Sequence, residues 1–197
     1  MDGVRDILLG VDFGTGGCKV SALSAADGRL LGDASVEYAT EYAHAGWSEQ
    51  NPDDWYAAMR GAIRAVAAKG VDLSKVRALA FDGSTHNAVL MDAGYKPIRK
   101  TIMWTDQRSV AECALLREKY GETIFKTAYQ SPSPTWTLPQ MMWLKNNEPE
   151  ILKKTKRVLF VKDYVRYLLT GVAVSDYIEA QGTLFFDMKT MSWSREL

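Results

Sequence analysis

Residues 7–11, Ile-Leu-Leu-Gly-Val, form an apolar run with the length of a buried strand. From Cys18 to Leu23 apolar and polar positions alternate. Cys18, Val20 and Ala22 share one face, while Lys19, Ser21 and Leu23 share the other, and this period of two predicts a second strand. Asp27-Gly28 is a hairpin turn signal, and residues 30–38 continue as a third strand. The first forty residues therefore predict an antiparallel meander. The period then changes to that of a helix. Asn51 suits a cap, Pro52 the first helical position, and Asp53 and Asp54 the first turn. Trp55, Met59, Ala62, Ile63 and Val66 make an apolar stripe that Gly70 closes. Strands are predicted over 76–81, 87–91 and 101–104. A helix then runs from a Thr105-Asp106 cap to about Tyr120. Thr137 and Gln140 have capping-box spacing ahead of Met141-Met142-Trp143-Leu144, a helix with a core-facing side. A strand over 157–161, a helix over 163–170 ended by Gly171, and a short helix over 176–181 follow. Ser194 in the closing Ser192-Trp193-Ser194 reads as the cap of one more helix, so the domain is expected to be cut short at its C-terminal end.

Strands that come first and then alternate with helices predict an α/β layered domain with a mixed sheet. A length of 197 residues favours one domain, spanning 1–197, with enough surface buried to need no staples. Equal totals of 24 basic and 24 acidic residues argue against a dedicated nucleic-acid binder. No apolar run approaches the length of a membrane span. Two cysteines, Cys18 and Cys113, make no disulfide framework and predict a reducing, cytoplasmic setting. Neither has a nearby base in sequence, and both are expected to be inert. Two histidines, His44 and His86, are too few for the usual zinc site.

The chemistry is concentrated in two stretches. The first is Asp12-Phe13-Gly14-Thr15-Gly16-Gly17, followed by Lys19. It lacks the Lys-Ser/Thr pair of a P-loop, the third glycine of a dinucleotide fingerprint, and the helix both require. A strand, a glycine turn and a second strand can still converge backbone N–H groups on a phosphate. Asp12 would offer Mg²⁺ a hard oxygen ligand, Thr15 a hydroxyl and Lys19 a cation. Taken alone, the same stretch is equally an ordinary glycine-rich hairpin. The second stretch is Phe81-Asp82-Gly83-Ser84-Thr85-His86-Asn87, a polar loop between strands of the kind that presents hydrogen-bonding groups to a polyhydroxylated ligand. Locally, His86 is as well explained as a structural histidine. Trp104 is equally a packed aromatic at a strand end, and Asp106 a helix cap.

Gly10-Val11-Asp12-Phe13-Gly14-Thr15-Gly16-Gly17-Cys18-Lys19-Val20 resembles the first phosphate motif of the sugar kinase, Hsp70 and actin superfamily, and the FGGY carbohydrate kinases within it. The resemblance continues in order through Trp47 to Trp55, Ile102 to Ser109, Leu159 to Gly171, and Asp176, Ala180, Gly182, Thr183, Asp187 and Trp193-Ser194. Its xylulokinase members are the most similar. The resemblance implies a ribonuclease H-like, actin-type ATPase fold and the N-terminal, sugar-binding domain of an enzyme. That enzyme would move the ATP γ-phosphoryl group, with Mg²⁺, to a primary hydroxyl of a ketose. It implies that Asp12, Gly14, Thr15, Gly16, Gly17 and Lys19 face the phosphates and that Asp12 holds the metal. It places His86 on the family's sugar-contacting histidine and points to Thr85, Trp104 and Asp106 as further sugar contacts. Thr85 and Ser84 depart from the Met and Gln of the xylulokinase pattern, which leaves the sugar open. Ribulose, glycerol or another polyol remain alternatives, as does a non-enzymatic actin-like sugar-binding or assembly module. No Gly-Gly-Gly-x-Asp-like run is present, so the catalytic base and the nucleotide-binding second domain are expected beyond Leu197, and 1–197 alone is expected to be inactive. The expected partner is a small sugar, with no nucleic acid or membrane and with homodimerisation open.

Overall fold

The computed structural model describes residues 6–197. They divide into two compact units. The first takes the described part of Met1–Ala39 together with Asp53–Ser84, and the second takes Thr40–Pro52 and Thr85–Leu197.

The first unit is built on the predicted meander. Strands β1 (Ile7–Phe13), β2 (Gly17–Ser24) and β3 (Leu30–Glu37) pair antiparallel in chain order. Alternation along β1 and β2 buries Ile7, Leu9, Val11, Phe13, Cys18, Val20 and Ala22 on one face. A two-residue strand β4 (Glu49–Gln50) belongs to the second unit, and the chain then enters helix α1 (Pro52–Ala68). Pro52 starts that helix as predicted, with Asp53 and Asp54 in its first turn. Its stripe of Trp55, Ala58, Met59, Ala62 and Val66 is buried. Gly61 of α1 lies so close to β3 that a Cβ there would reach Val36 Cγ2 at 3.3 Å. A 3-10 turn (Leu73–Lys75), capped by Asp72, leads into β5 (Val76–Gly83). β5 lies parallel to β1, giving a mixed sheet of order β3-β2-β1-β5.

In the second unit β6 (Val89–Met91) pairs antiparallel with β8 (Arg157–Leu159), and β7 (Thr101–Ile102) pairs with β4. The helices are α2 (Val110–Ala128), α3 (Thr137–Asn147), α4 (Pro149–Lys154), α5 (Val161–Thr170) and α6 (Tyr177–Gly182). One apolar cluster gathers Ala88, Leu90, Ile102, Leu144 and Phe160, and a second gathers Leu116, Ile124, Ala128 and Leu184. Met141 and Trp143 pack on the first, and Met142 on the second, as expected of a core-facing helix.

Two local expectations fail for identifiable reasons, and one helix and one strand pair were not anticipated. Helix α2 starts at Val110 rather than after Asp106, because the Asp106 carboxylate is taken by Arg108 and the Ser48 N–H and caps nothing. Helix α3 has Trp136 at its cap with no side-chain bond, and Gln140 donates to the Pro134 carbonyl, so Thr137 and Gln140 form no capping box. Helix α4 was not anticipated. Pro149 starts it directly after α3, where Glu148 ends one helix and precedes the next. In the closing segment β10 (Ser192–Trp193) pairs antiparallel with β9 (Phe186–Asp187), and Ser194 Oγ then accepts from the N–H groups of Glu196 and Leu197, the bonds expected of a cap residue.

Both cysteines are buried. Burial, and secondarily the Asp12 charge, pushes the Cys18 thiol up to about 12. Burial, with Glu112 adding to it and Arg117 opposing, pushes Cys113 up to about 11. Because the thiolate is the reactive form, neither cysteine should react with iodoacetamide at pH 8 in the native protein, and both should react in denaturant. Mass spectrometry before and after unfolding checks this, and native labelling of either one overturns it.

Candidate functional site

In the first unit the glycine stretch is the turn between β1 and β2. The Gly14 N–H donates to the Gly17 carbonyl at 3.0 Å, closing a four-residue turn. None of its three glycines has a positive φ, so left-handed backbone is not what selects them. Sterics select Gly17, where a Cβ would lie 2.9 Å from Val36 O and 3.2 Å from Glu37 Cα on β3. At Gly16 a Cβ would meet nothing within 4 Å, so no neighbour in the fold excludes a side chain there. Tyr38 braces the turn. Its hydroxyl donates to the Gly14 carbonyl, and its N–H donates to the Gly16 carbonyl at 3.3 Å. Burial, then the neighbouring Cys18 and Asp12, drives the Tyr38 phenol well above its ordinary value, so it remains a donor. Sequence reading missed Tyr38, because only the β2–β3 pairing brings it to the turn.

Asp12 and Thr15 are exposed, and Asp12 sits opposite Lys19 across the β1–β2 ladder. On its other side Asp12 is opposite Asp82 across the parallel β1–β5 pairing. Gly10, Asp12, Lys19, Ser21, Ala80 and Asp82 line a depression of about 270 Å³. Asp82 Oδ1 accepts from the Gly83 N–H at 2.8 Å, as expected for an Asp in a loop. Lys19 lies 3.6 Å from Asp33 in an exposed ion pair, which solvent leaves weak and easily exchanged. Two adjacent exposed carboxylates are hard oxygen donors and fit a hydrated Mg²⁺. Among the described residues no group of three or more His, Cys, Asp or Glu is placed to hold a metal without water.

In the second unit His86 and Trp104 are drawn together by Asn87. Its Oδ1 accepts from the Trp104 N–H at 2.6 Å. The Trp104 carbonyl accepts from Thr135 Oγ1 at 3.0 Å, and Trp104 is 41% exposed. Thr85 is exposed, while His86 is 8% exposed and has a left-handed backbone, with φ of 68°. The Trp136 ring meets the His86 imidazole edge-on at 4.6 Å. Asp106 lies two residues beyond Trp104 but is 1% exposed. Its Oδ2 accepts from the Ser48 N–H at 2.6 Å and Arg108 Nη2 at 2.8 Å, and its Oδ1 from the Arg108 N–H and Nε. Arg108 lies over the Trp47 ring at 3.7 Å and also pairs with Glu49 at 2.7 Å. Both Asp106 oxygens are thus occupied, which gives it a bracing position beneath the Trp104 loop rather than a ligand-facing one.

Lys162, Asp163 and Arg166 of α5 belong to an ion network closed around the buried Asp163 and Glu179 carboxylates. Lys162 Nζ is 2.8 Å from Asp176, 3.3 Å from Glu179 and 3.4 Å from Asp163. Burial opposes the Lys162 charge, but the Asp176 hydrogen bond and the Glu179 and Asp163 carboxylates outweigh it and hold the ammonium above its ordinary value. Asp163 is fully buried, and burial raises its carboxyl despite the bond from Ser175 and the charges of Lys162 and Arg166. Asp176 caps α6 through the Ile178 and Glu179 N–H groups. Glu179 and Gly182, on that helix, were not singled out as site residues in the sequence, yet both touch His86.

Gly17→Ala is expected to destabilise the protein by about 1–3 kcal/mol, since backbone on β3 cannot move aside as a flexible side chain can. Gly16→Ala is expected to stay within about 0.5 kcal/mol. Urea denaturation of both variants checks the pair, and equal losses would remove the steric account of Gly17.

A model of the FGGY family of carbohydrate kinases, N-terminal domain, matches residues 7–197. The chain is 33% identical over 191 residues to the xylulose kinase of Bacillus subtilis and 34% identical over 186 residues to that of Escherichia coli. These alignments cover 96% and 94% of the chain and 38% of each relative, so the chain spans well under half the length of the curated relatives it matches. A crystal structure of a Brucella ovis xylulose kinase superposes with a TM-score of 0.90 at 34% identity, covering 96% of this chain and 39% of that one. A Plasmodium falciparum glycerol kinase superposes with a TM-score of 0.80 at 20% identity, covering 98% of this chain and 40% of that one, which speaks for the fold alone. The fold is that of the actin-like ATPase sugar kinases, and the chain belongs to the FGGY family of carbohydrate kinases as its N-terminal domain.

Proposed function

We propose that this chain is the sugar-holding, phosphate-facing part of an ATP-dependent carbohydrate kinase, with xylulose or a related ketose as the acceptor. The observation that carries the reading is the braced glycine turn. Its backbone is open at Gly16, Asp12 stands at its base and Lys19 lies opposite Asp12, within a chain of this family. Phosphoryl transfer needs little from the protein beyond positioning and neutralisation of the phosphoryl oxygens. Backbone N–H groups of Gly14 to Gly17, the Thr15 hydroxyl and the Lys19 ammonium are suited to those oxygens. Asp12 would hold Mg²⁺, directly or through water, with Asp82 beside it in register. The bound metal supplies charge neutralisation.

In the second unit Thr85, His86 and Trp104 would meet the sugar. His86 offers a directed hydrogen bond, and the part-exposed indole offers a flat apolar face for C–H groups. Asp106 holds the loop that carries Trp104. The base that accepts the hydroxyl proton is assigned to a carboxylate outside these 197 residues.

A sugar panel with ATP and coupled ADP detection on the complete protein tests the reading. A ketose should be turned over, and absence of sugar-dependent ADP formation across the panel overturns it. Asp12→Asn is expected to lower kcat by about a hundredfold or more with an unchanged thermal midpoint. His86→Ala is expected to raise the sugar KM by about tenfold while the ATP KM stays put. Equal changes in both KM values would move His86 to a structural role.

A further inference from the structure

His86 is held on three sides, and two of the three contacts come from helix α6. Glu179, 1% exposed, accepts the His86 backbone N–H on Oε2 at 3.0 Å, across 93 residues of sequence. That bond anchors a non-glycine residue in left-handed backbone, a conformation that persists only where its surroundings enforce it. The same Oε2 lies 3.5 Å from His86 Nδ1. Nδ1 is buried and makes no hydrogen bond, so this carboxylate is the charge it faces. Gly182, one helical turn further along α6, takes up the next side. A Cβ there would sit 1.8 Å from Nδ1 and 2.0 Å from Cε1, so the ring occupies the volume that any side chain at 182 would fill. Trp136 closes the third side.

We propose that Glu179 is a positioning residue for ligand binding: it fixes His86 with its proton on Nδ1, and with Gly182 holding the ring in place, Nε2 is presented as a hydrogen-bond acceptor. The argument is electrostatic. A neutral imidazole carries its proton on one nitrogen and a lone pair on the other. A lone pair on Nδ1 would point at a carboxylate oxygen 3.5 Å away, whereas an N–H there is attracted to it. Lys162, 3.3 Å from the other Glu179 oxygen, supplies a countercharge to this buried carboxylate. The resulting Nε2 acceptor selects a donor, which a sugar hydroxyl is. The ligand class rests on the function proposed above, but the tautomer does not.

Two measurements separate those layers. With only two histidines in the chain, His44 and His86, long-range ¹⁵N–¹H correlation spectra of ¹⁵N-histidine-labelled protein resolve both rings, and His44→Gln assigns them. At a pH where the ring is neutral, wild-type His86 should show Nδ1 protonated and Nε2 unprotonated. The opposite tautomer in the wild type overturns the proposal without any substitution at Glu179. Glu179→Gln keeps an acceptor for the His86 N–H but removes the charge, so the Nε2-protonated form should rise from a minor to a major population; an unchanged ratio overturns the proposal. In kinase assays on the complete protein, Glu179→Gln and Gly182→Ala should each raise the sugar KM by about tenfold, with the ATP KM within about twofold. Wild-type sugar KM in both variants, alongside a raised KM in His86→Ala, overturns the positioning role and leaves the sugar-kinase reading standing. The predicted tautomer without any sugar-dependent activity would overturn the function and leave the Glu179–His86 pairing standing.

Discussion

An ionised side chain taken out of water must be neutralised where it lies, and the second unit is organised around two places where this happens. Arg108 and Asp106 are each 1% exposed and satisfy one another through paired hydrogen bonds, with Glu49 and the Trp47 face completing the shell of the guanidinium. Lys162 gathers the buried Asp163 and Glu179, with the exposed Asp176 completing its shell. Removing one partner from such a set strands a buried charge, at about 3–5 kcal/mol, whereas an exposed pair is worth well under 1 kcal/mol. These two networks, rather than the short strands β4, β6 and β7, fix the loops that matter. One ties Ser48 to the residue two positions past Trp104, and the other ties α6 to His86.

What the sequence made legible follows from range. The meander and α1 were readable because their signals are local: alternation in β2, the Asp27-Gly28 turn, and Pro52 with an apolar stripe behind it. The glycine turn was readable as a type of loop. The start of α2 was not, because the competition for the Asp106 carboxylate is won by the Ser48 N–H, 58 residues away, and by Arg108. Likewise the β9–β10 pairing spans two residues a side, and no local pattern announces it. Tyr38 and Glu179 carried no motif of their own, and Gly182 stood only within a longer resemblance. Each acquires its role from a contact that exists only after folding.

The glycine turn shows how much a residue type leaves undecided. Three glycines in four positions suggest backbone freedom, yet none has positive φ. Gly17 is demanded by the β3 backbone, while Gly16 is demanded by nothing within the protein. A glycine without a steric reason, in a turn braced by a half-buried tyrosine hydroxyl, suits the phosphate-facing role proposed above, since a side chain there would block approach to the N–H groups without disturbing the fold.

Helix α5 gives the converse lesson. Asp163 and Arg166 are three residues apart, the spacing of an ordinary surface ion pair worth a few tenths of a kcal/mol. Read along the sequence, Lys162 extends the same polar face. The following segment changes its meaning: Ser175, Asp176 and Glu179 arrive over that face and close it off, so that Asp163 loses all contact with solvent. Asp163 thereby passes from a solubilising face to a buried support, and stranding its charge costs roughly ten times as much as breaking a surface pair. That support ends at the Glu179 carboxylate and, through it, at the imidazole of His86. A block of sequence that resembles a family motif on α5 and α6 therefore has its physical reason some 75 to 95 positions upstream, in the polar loop whose histidine it holds.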